Sequence, residues 1–164
     1  MGVSGSGKST VAKLLAQHLD YFFIDADDYH SEAARHWMNS GKALSDEMRE
    51  PWIQRLCSAL ENEKRRHNNC VLAYSGLKRR HRQRFRQLGF DTLFVYLRAD
   101  QSIIAARIEG RREHFMSPAL LVSQFESMEE PVAEIDVVPV DVSAPLTEIL
   151  KQVIAVVQEF FSIT

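Results

Sequence analysis

The run Gly2-Val3-Ser4-Gly5-Ser6-Gly7-Lys8-Ser9 constrains the fold of this chain more than any other feature. It fits the pattern G-x-x-x-x-G-K-[ST], which predicts a turn wrapped around an anion. Glycines at these positions let the backbone curl so that successive N–H groups converge on phosphate oxygens. Val11, Leu14, Leu15 and Leu19 recur at helical spacing, so the turn opens a helix near Lys8. The helix N-terminus adds partial positive charge at the same point. In such a turn Lys8 reaches the β- and γ-phosphates of a nucleotide, and the Ser9 hydroxyl can ligate Mg²⁺. Gly2, Ser4, Gly5, Ser6, Gly7, Lys8, Ser9 and Thr10 are therefore the candidate nucleotide-binding residues. A loop of this kind normally hangs from a buried strand of roughly five residues. Only Met1 precedes Gly2 here, so the expectation is a truncated first strand on an otherwise intact fold.

Downstream, short apolar runs alternate with helical patterns. Tyr21–Asp25, Cys70–Tyr74 and Thr92–Leu97 read as buried strands. Ile135–Val140 contains Pro139, which confines it to a sheet edge. Helices are predicted for 31–39, from Glu47 onward, for 78–88 with Gly89 as the stop, for 101–108, for 118–127, and for a C-terminal stretch marked by Leu146, Ile149, Leu150, Val153, Val157, Phe160 and Phe161. This alternation predicts an α/β domain spanning 1–164, with a parallel sheet covered on both faces. Ligands bind such sheets at the carboxyl ends of the strands.

Composition excludes several classes. A net charge of −2 gives no general attraction to nucleic acid or anionic membrane. No apolar run approaches the ~20 residues of a membrane span. Cys57 and Cys70 show no metal or redox spacing and read as reduced core thiols, so a cytoplasmic location is expected.

The residues after each strand carry the remaining chemistry. Asp25 and Asp27 lie two apart at a strand end and point the same way. Asp25 suits orientation of Mg²⁺, and Asp27 suits acceptance of a proton from an attacking hydroxyl. The alternative is a polar turn capping a helix. Lys78 stands at a strand-to-helix junction, where a cation would meet an acidic substrate. Arg79, Arg80, Arg84 and Arg86 read as a solvated basic face. The Arg-rich segment Arg107–Met116 has a hinge at Gly110 and predicts a lid at about 110–117 that closes over nucleotide. Its guanidinium groups, Arg107 among them, are candidate nucleotide contacts. Without the phosphate loop, the segment would read as an exposed basic turn.

These residues resemble the gluconokinases, small P-loop sugar-acid kinases related to shikimate kinase. The resemblance runs nearly end to end. It rests on the loop, on Ile24-Asp25-Ala26-Asp27 with His30, and on Met38, Gly41, Leu44, Asp46, Arg49, Pro51 and Trp52. It continues through Ser75, Leu77, Lys78, Arg79 and Arg82, and then His114-Phe115-Met116, Leu120-Leu121, Ser123-Gln124-Phe125, Glu129 and Pro131. The family implies a P-loop kinase fold with strand order 2-3-1-4-5. It implies a substrate-side helical segment at about 30–66. It also implies ATP- and Mg²⁺-dependent phosphorylation of gluconate at its 6-hydroxyl by a cytosolic, commonly dimeric enzyme, with neither nucleic acid nor membrane as partner. By carry-over, Lys8, Asp27 and Arg111 are catalytic, and Ser9 and Asp25 serve the metal. Asp27, His30, Arg49, Lys78, Arg82 and Gln124 surround the sugar acid. The chain departs from the family pattern at Ala26, Ser31, Ala34, Trp37, Ala43, Met48, Tyr74 and Gly76, mostly on the substrate side. That leaves a different sugar acid or small polyol open as acceptor. A nucleotide-binding regulatory module with impaired catalysis is the alternative of another class.

Overall fold

A computed structural model describes residues 1–110 and 118–162. Residues 111–117, where the lid is expected and Arg111 among them, lie outside the described residues. Helix α1 (Lys8–Leu19) follows the glycine loop and ends at Asp20, whose left-handed backbone (φ 54°) turns the chain into β1 (Phe22–Asp25). A 3₁₀ turn (Ala26–Tyr29) leads to α2 (Glu32–Asn39) and α3 (Asp46–Arg65). Each of these two helices starts on a serine. The Ser31 Oγ accepts from the Ala34 N–H and the Ser45 Oγ from the Met48 N–H, at 3.2 and 3.3 Å, satisfying amides that the helix leaves unpaired. Then come β2 (Cys70–Ala73), α4 (Arg79–Arg86), β3 (Phe94–Arg98), α5 (Gln101–Glu109), α6 (Pro118–Ser127), β4 (Val137–Asp141) and α7 (Leu146–Phe161).

The strands pair in parallel, β1 with β2 and β3 with β4, in register from Phe22↔Cys70 and from Phe94↔Val137. Met1 and Gly2 join the two pairs. The Met1 carbonyl accepts from the Leu97 N–H at 2.8 Å, and the Gly2 N–H donates to the Ser75 carbonyl at 2.9 Å. If Met1–Gly2 counts as the first strand position, the arrangement follows the expected 2-3-1-4-5. Two apolar clusters flank it. One gathers Leu15, Ile104, Val142 and Val153 from α1, α5, the chain after β4, and α7. The other gathers Ile53, Leu56 and Leu60 of α3 with Phe85 of α4 and Tyr74. Helices thus cover both faces, and the site-forming loops stand at the carboxyl ends of the strands.

One element starts later than its apolar run predicts. The last strand begins at Val137, and Ile135 is fully exposed (100 %). The flanking carboxylates of Glu134 and Asp136 are held by Arg86, so 134–136 form a turn whose apolar residue faces outward. Pro139 pairs opposite Tyr96 on a strand whose only partner among the described residues is β3, as a residue without an N–H requires. No described helix is long and apolar enough to cross a membrane.

Candidate active site

The glycine loop is shaped as an anion cradle. Gly5 and Gly7 adopt φ of 81° and 92°, conformations that an L side chain resists. A Cβ built on Gly7 would meet nothing within 4 Å, so this bend opens onto free space. The twelve-residue α1 has no side-chain cap and no acid in its first turn, leaving its N-terminal amides for a ligand. The Ser6 Oγ is buried with no partner among the described residues. Converging amides, an orphaned hydroxyl and a helix N-terminus fit a polyphosphate. Lys8 stands at the same place with its Nζ donating to the Val3 carbonyl at 2.9 Å. Burial pulls the pKa of its ammonium down, while Asp27 and then Asp25 pull it up. Both acids are therefore electrostatic neighbours of Lys8. Ser9 and Thr10 are exposed beside them.

The acids sit on a turn that is fastened from below. The Asp27 N–H donates to the Asp25 carboxylate at 3.1 Å. The buried Trp52 donates its indole N–H to the Ala26 carbonyl at 2.7 Å and stacks on His30, ring centroids 4.3 Å apart. Arg55 donates to the Tyr29 carbonyl at 2.7 Å, and Arg35 to the Asp28 carbonyl at 2.9 Å. The Asp27 side chain, 85 % exposed, thus projects from a rigid support, with the His30 Nε2 at 4.0 Å. Burial, with Arg35, Arg55 and Arg49 nearby, pushes the His30 pKa down to about 4. His30 is therefore neutral near pH 7, and its Nδ1 is buried without a partner among the described residues.

The other candidates divide by position. Arg49 pairs with Asp46 at 3.2 Å, and its charge acts on His30. Lys78 lies 3.5 Å from Glu129 at the start of α4. Gln124 of α6 accepts the Ser4 N–H at 2.7 Å, which places it on the phosphate loop. Arg107 donates to the Val142 carbonyl, which anchors α5 beside that loop. Arg82, expected at the sugar acid, has a different role. It is fully buried, and its guanidinium donates to the Gly76 and Glu129 carbonyls and to both oxygens of Glu134. A guanidinium with its donors occupied in this way holds the loops in place and faces no solvent.

Two contributors escaped the sequence reading. Trp52 positions the acid turn, and Glu134 neutralises Arg82 while also pairing with Arg86 at 2.5 Å. An apolar residue at helical spacing signals core, and Trp52 is core. Nothing local in the sequence marks where its N–H points.

Comparison with known proteins fits this geometry. The family described as AAA domain matches residues 1–135. The thermoresistant gluconokinase of Escherichia coli (strain K12) is 38 % identical over 160 residues, covering 97 % of this chain and 91 % of that one. A probable gluconokinase of Mus musculus is 41 % identical, covering 93 % and 92 %. The crystal structure of a gluconokinase from Sinorhizobium meliloti 1021 superposes with a TM-score of 0.86 at 36 % identity, covering 94 % of this chain and 87 % of that one. With relatives this similar over nearly its whole length, and with a glycine loop whose lysine feels a nearby pair of acids, the chain belongs to the gluconokinase family.

Proposed function

We propose that this protein transfers the γ-phosphoryl group of ATP to the 6-hydroxyl of gluconate, giving 6-phosphogluconate and ADP. The observation that supports this reading is that Lys8 of the glycine loop lies within electrostatic reach of Asp27 and Asp25, as a proton acceptor beside a phosphate cradle would require. The loop amides, Lys8, Ser9 and Thr10 hold the polyphosphate, with Arg107 behind them. Ser9 and Asp25 would hold Mg²⁺, which neutralises charge on the phosphates when bound. Asp27 takes the proton of the attacking hydroxyl as the oxygen approaches phosphorus. Arg49 and Lys78 offer cations to the sugar carboxylate, and His30 offers a neutral hydrogen-bonding edge. Gln124 ties α6 to the phosphate loop. Arg111 is assigned to the closing lid on the family resemblance, as are a cytoplasmic location and a homodimer. Positioning and charge neutralisation supply most of the rate in such transfers.

A second reading keeps the chemistry and changes the acceptor. Ala34 is buried, and the Trp37 indole N–H is tied to the Ala43 carbonyl at 3.0 Å. Neither position offers a free polar group where the family pattern carries Asn and Lys. A site with different polar contacts discriminates strongly between substrates.

The test is acceptor-dependent ADP release across a panel of sugar acids and polyols. The highest kcat/KM for gluconate supports the first reading, and a clear preference for another sugar acid supports the second. Nucleotide binding without acceptor-dependent turnover for any member would overturn both.

A further inference from the structure

The ion pairs around α4 match cation to anion, with a single exception among the described residues. Lys78 meets Glu129 at 3.5 Å, Arg84 meets Glu50, and Arg82 and Arg86 share Glu134 and Asp136. Arg79 is exposed and meets Glu129 through its backbone N–H. The exception is Asp46, the first residue of α3, whose one carboxylate serves two cations. Its Oδ1 accepts from the Arg49 Nη1 at 3.2 Å, and its Oδ2 lies 3.0 Å from the Arg80 Nη2. One positive charge is left over, and it stands on the acceptor side. The Arg49 charge acts on His30, whose Nε2 is 4.0 Å from the Asp27 carboxylate. The charges of Arg49 and Arg80 both act on two buried residues, Tyr74 at the carboxyl end of β2 and His81 in α4. The two guanidinium groups are therefore close to the same pair of rings. The Arg49 side chain is 15 % exposed and that of Arg80 54 %, so the first is packed and the second is open to a ligand.

We infer, on the sugar-acid reading proposed above, that Arg80 is a binding residue for the acceptor's carboxylate, paired with Arg49 and held in place by Asp46. Lys78 is opposed by a carboxylate of its own and has little net charge to offer a second one. Two guanidinium groups around one carboxylate keep a net charge of one positive unit, and a substrate carboxylate brings the group to neutrality. Each guanidinium carries five N–H donors, and Asp46 engages one nitrogen of each, which leaves donors for a second anion. A guanidinium fork matches a carboxylate with two parallel N–H···O bonds, which an ammonium cannot do. Asp46 is the positioning residue. It ties Arg80 of α4 to Arg49 of α3, so both forks are set before the acceptor arrives. The consequence is selectivity. A neutral polyol brings no charge to this pair, and a site whose polar groups stay unpaired rejects the acceptor that leaves them so. Arg80 thus separates sugar acids from polyols.

The experiment measures steady-state kinetics with ATP and gluconate varied in turn, and with glucitol as the neutral counterpart, either as acceptor or as competitive inhibitor. Arg80→Gln is expected to raise KM for gluconate about tenfold or more, while kcat, KM for ATP and the KM or Ki of glucitol stay within about threefold. Arg80→Lys keeps the charge without the fork and should fall between Arg80→Gln and the unsubstituted chain. Arg84→Gln removes a charge from the same helix and should leave KM for gluconate within about twofold. A KM for gluconate unchanged in Arg80→Gln would overturn the inference and leave the gluconate kinase reading standing. So would equal rises in Arg80→Gln and Arg84→Gln, which would trace the effect to the general charge of α4, or equal rises for gluconate and glucitol, which would trace it to the shape of the site. Turnover of no sugar acid by the unsubstituted chain would overturn the proposed function and this inference together.

Discussion

The turn at residues 26–30 and the loop at residues 2–7 lie within electrostatic reach of one another, but they are held by different means. The turn rests on a buried indole, a ring stack and two guanidinium bonds to its backbone. The loop is held by backbone bonds at Met1, Gly2 and Ser4 and by the Lys8 ammonium on the Val3 carbonyl, and the Ser6 hydroxyl has no partner among the described residues. A carboxylate on a packed turn keeps its aim before any substrate arrives. A loop with unsatisfied donors is completed by the anion it binds. The acceptor side is thus organised by packing and the nucleotide side by its ligand. Substitutions on the two sides should separate turnover, stability and nucleotide affinity.

The largest effects are expected where the two sides meet the reacting groups. Lys8→Ala should cut kcat by about 10³-fold or more and weaken ATP binding, since it removes the cation of the cradle. Asp27→Asn should cut kcat by about 10²–10⁴-fold while ATP affinity, measured by calorimetry, stays within a factor of two or so. Wild-type turnover in Asp27→Asn would reduce the acid turn to a capping device and end the contrast drawn above.

Next in size is the buried ion network beneath Lys78. Arg82→Met leaves Glu134 without its fully buried partner and should cost about 3–5 kcal/mol in denaturant unfolding. Hydrogen bonds from Arg82 first, and then from Arg86, hold the Glu134 pKa down to about 2 against the upward push of burial, and without Arg82 the carboxylate keeps only Arg86 as a partner. Trp52→Phe is milder and keeps an aromatic ring. It takes the donor from the Ala26 carbonyl, for about 1–3 kcal/mol of stability. It should lower kcat more than it raises KM for ATP, because it loosens the turn and leaves the loop alone. An equal effect on both parameters would show that the two sides are mechanically coupled.

How much of this was legible in the sequence follows from how local each signal is. The loop was legible because its glycines, lysine and serine lie within eight residues and act through the backbone they bend. Asp25 was legible as the end of an apolar strand, whereas Asp27 lies in the 3₁₀ turn that follows, so strand alternation does not set its direction. Arg82 was not legible, since the basic run from Lys78 to Arg86 offers no mark for the guanidinium that turns inward. Its anion, Glu134, lies 52 residues away. The same holds for Trp52, whose acceptor at Ala26 is 26 residues distant. The late start of β4 depended on carboxylates being drawn to Arg86, a long-range contact that outweighs local apolar pattern. Local chemistry could be read directly, while the supports that aim it depend on tertiary pairing.

The smallest effect expected compares the two sides through pH. Burial first, and then neighbouring guanidinium groups, pushes the pKa of both His30 and His81 down to about 4. His30 belongs to the acid turn and faces Arg35, Arg55 and Arg49. His81 lies in α4 and faces Arg80 and Arg49, with Asp46 and Glu129 opposing them. In the unfolded chain both titrate near 6.5. Between about pH 4 and 6.5 the unfolded chain therefore binds more protons than the native one, and stability rises with pH. The contribution is present in full above 6.5 and is lost as pH falls to about 4. Glu134, held at about 2 in the native state against 4.5 in the unfolded chain, adds its own loss of stability below about pH 5, so the histidine contribution is read between about pH 5 and 6.5. Melting curves should drop by a few degrees from pH 7 to pH 4.5. His30→Gln and His81→Gln should each flatten part of that slope. A slope unchanged in His30→Gln would mean that the acid turn tolerates a charged imidazole, and the packing argument for that side of the cleft would have to be withdrawn.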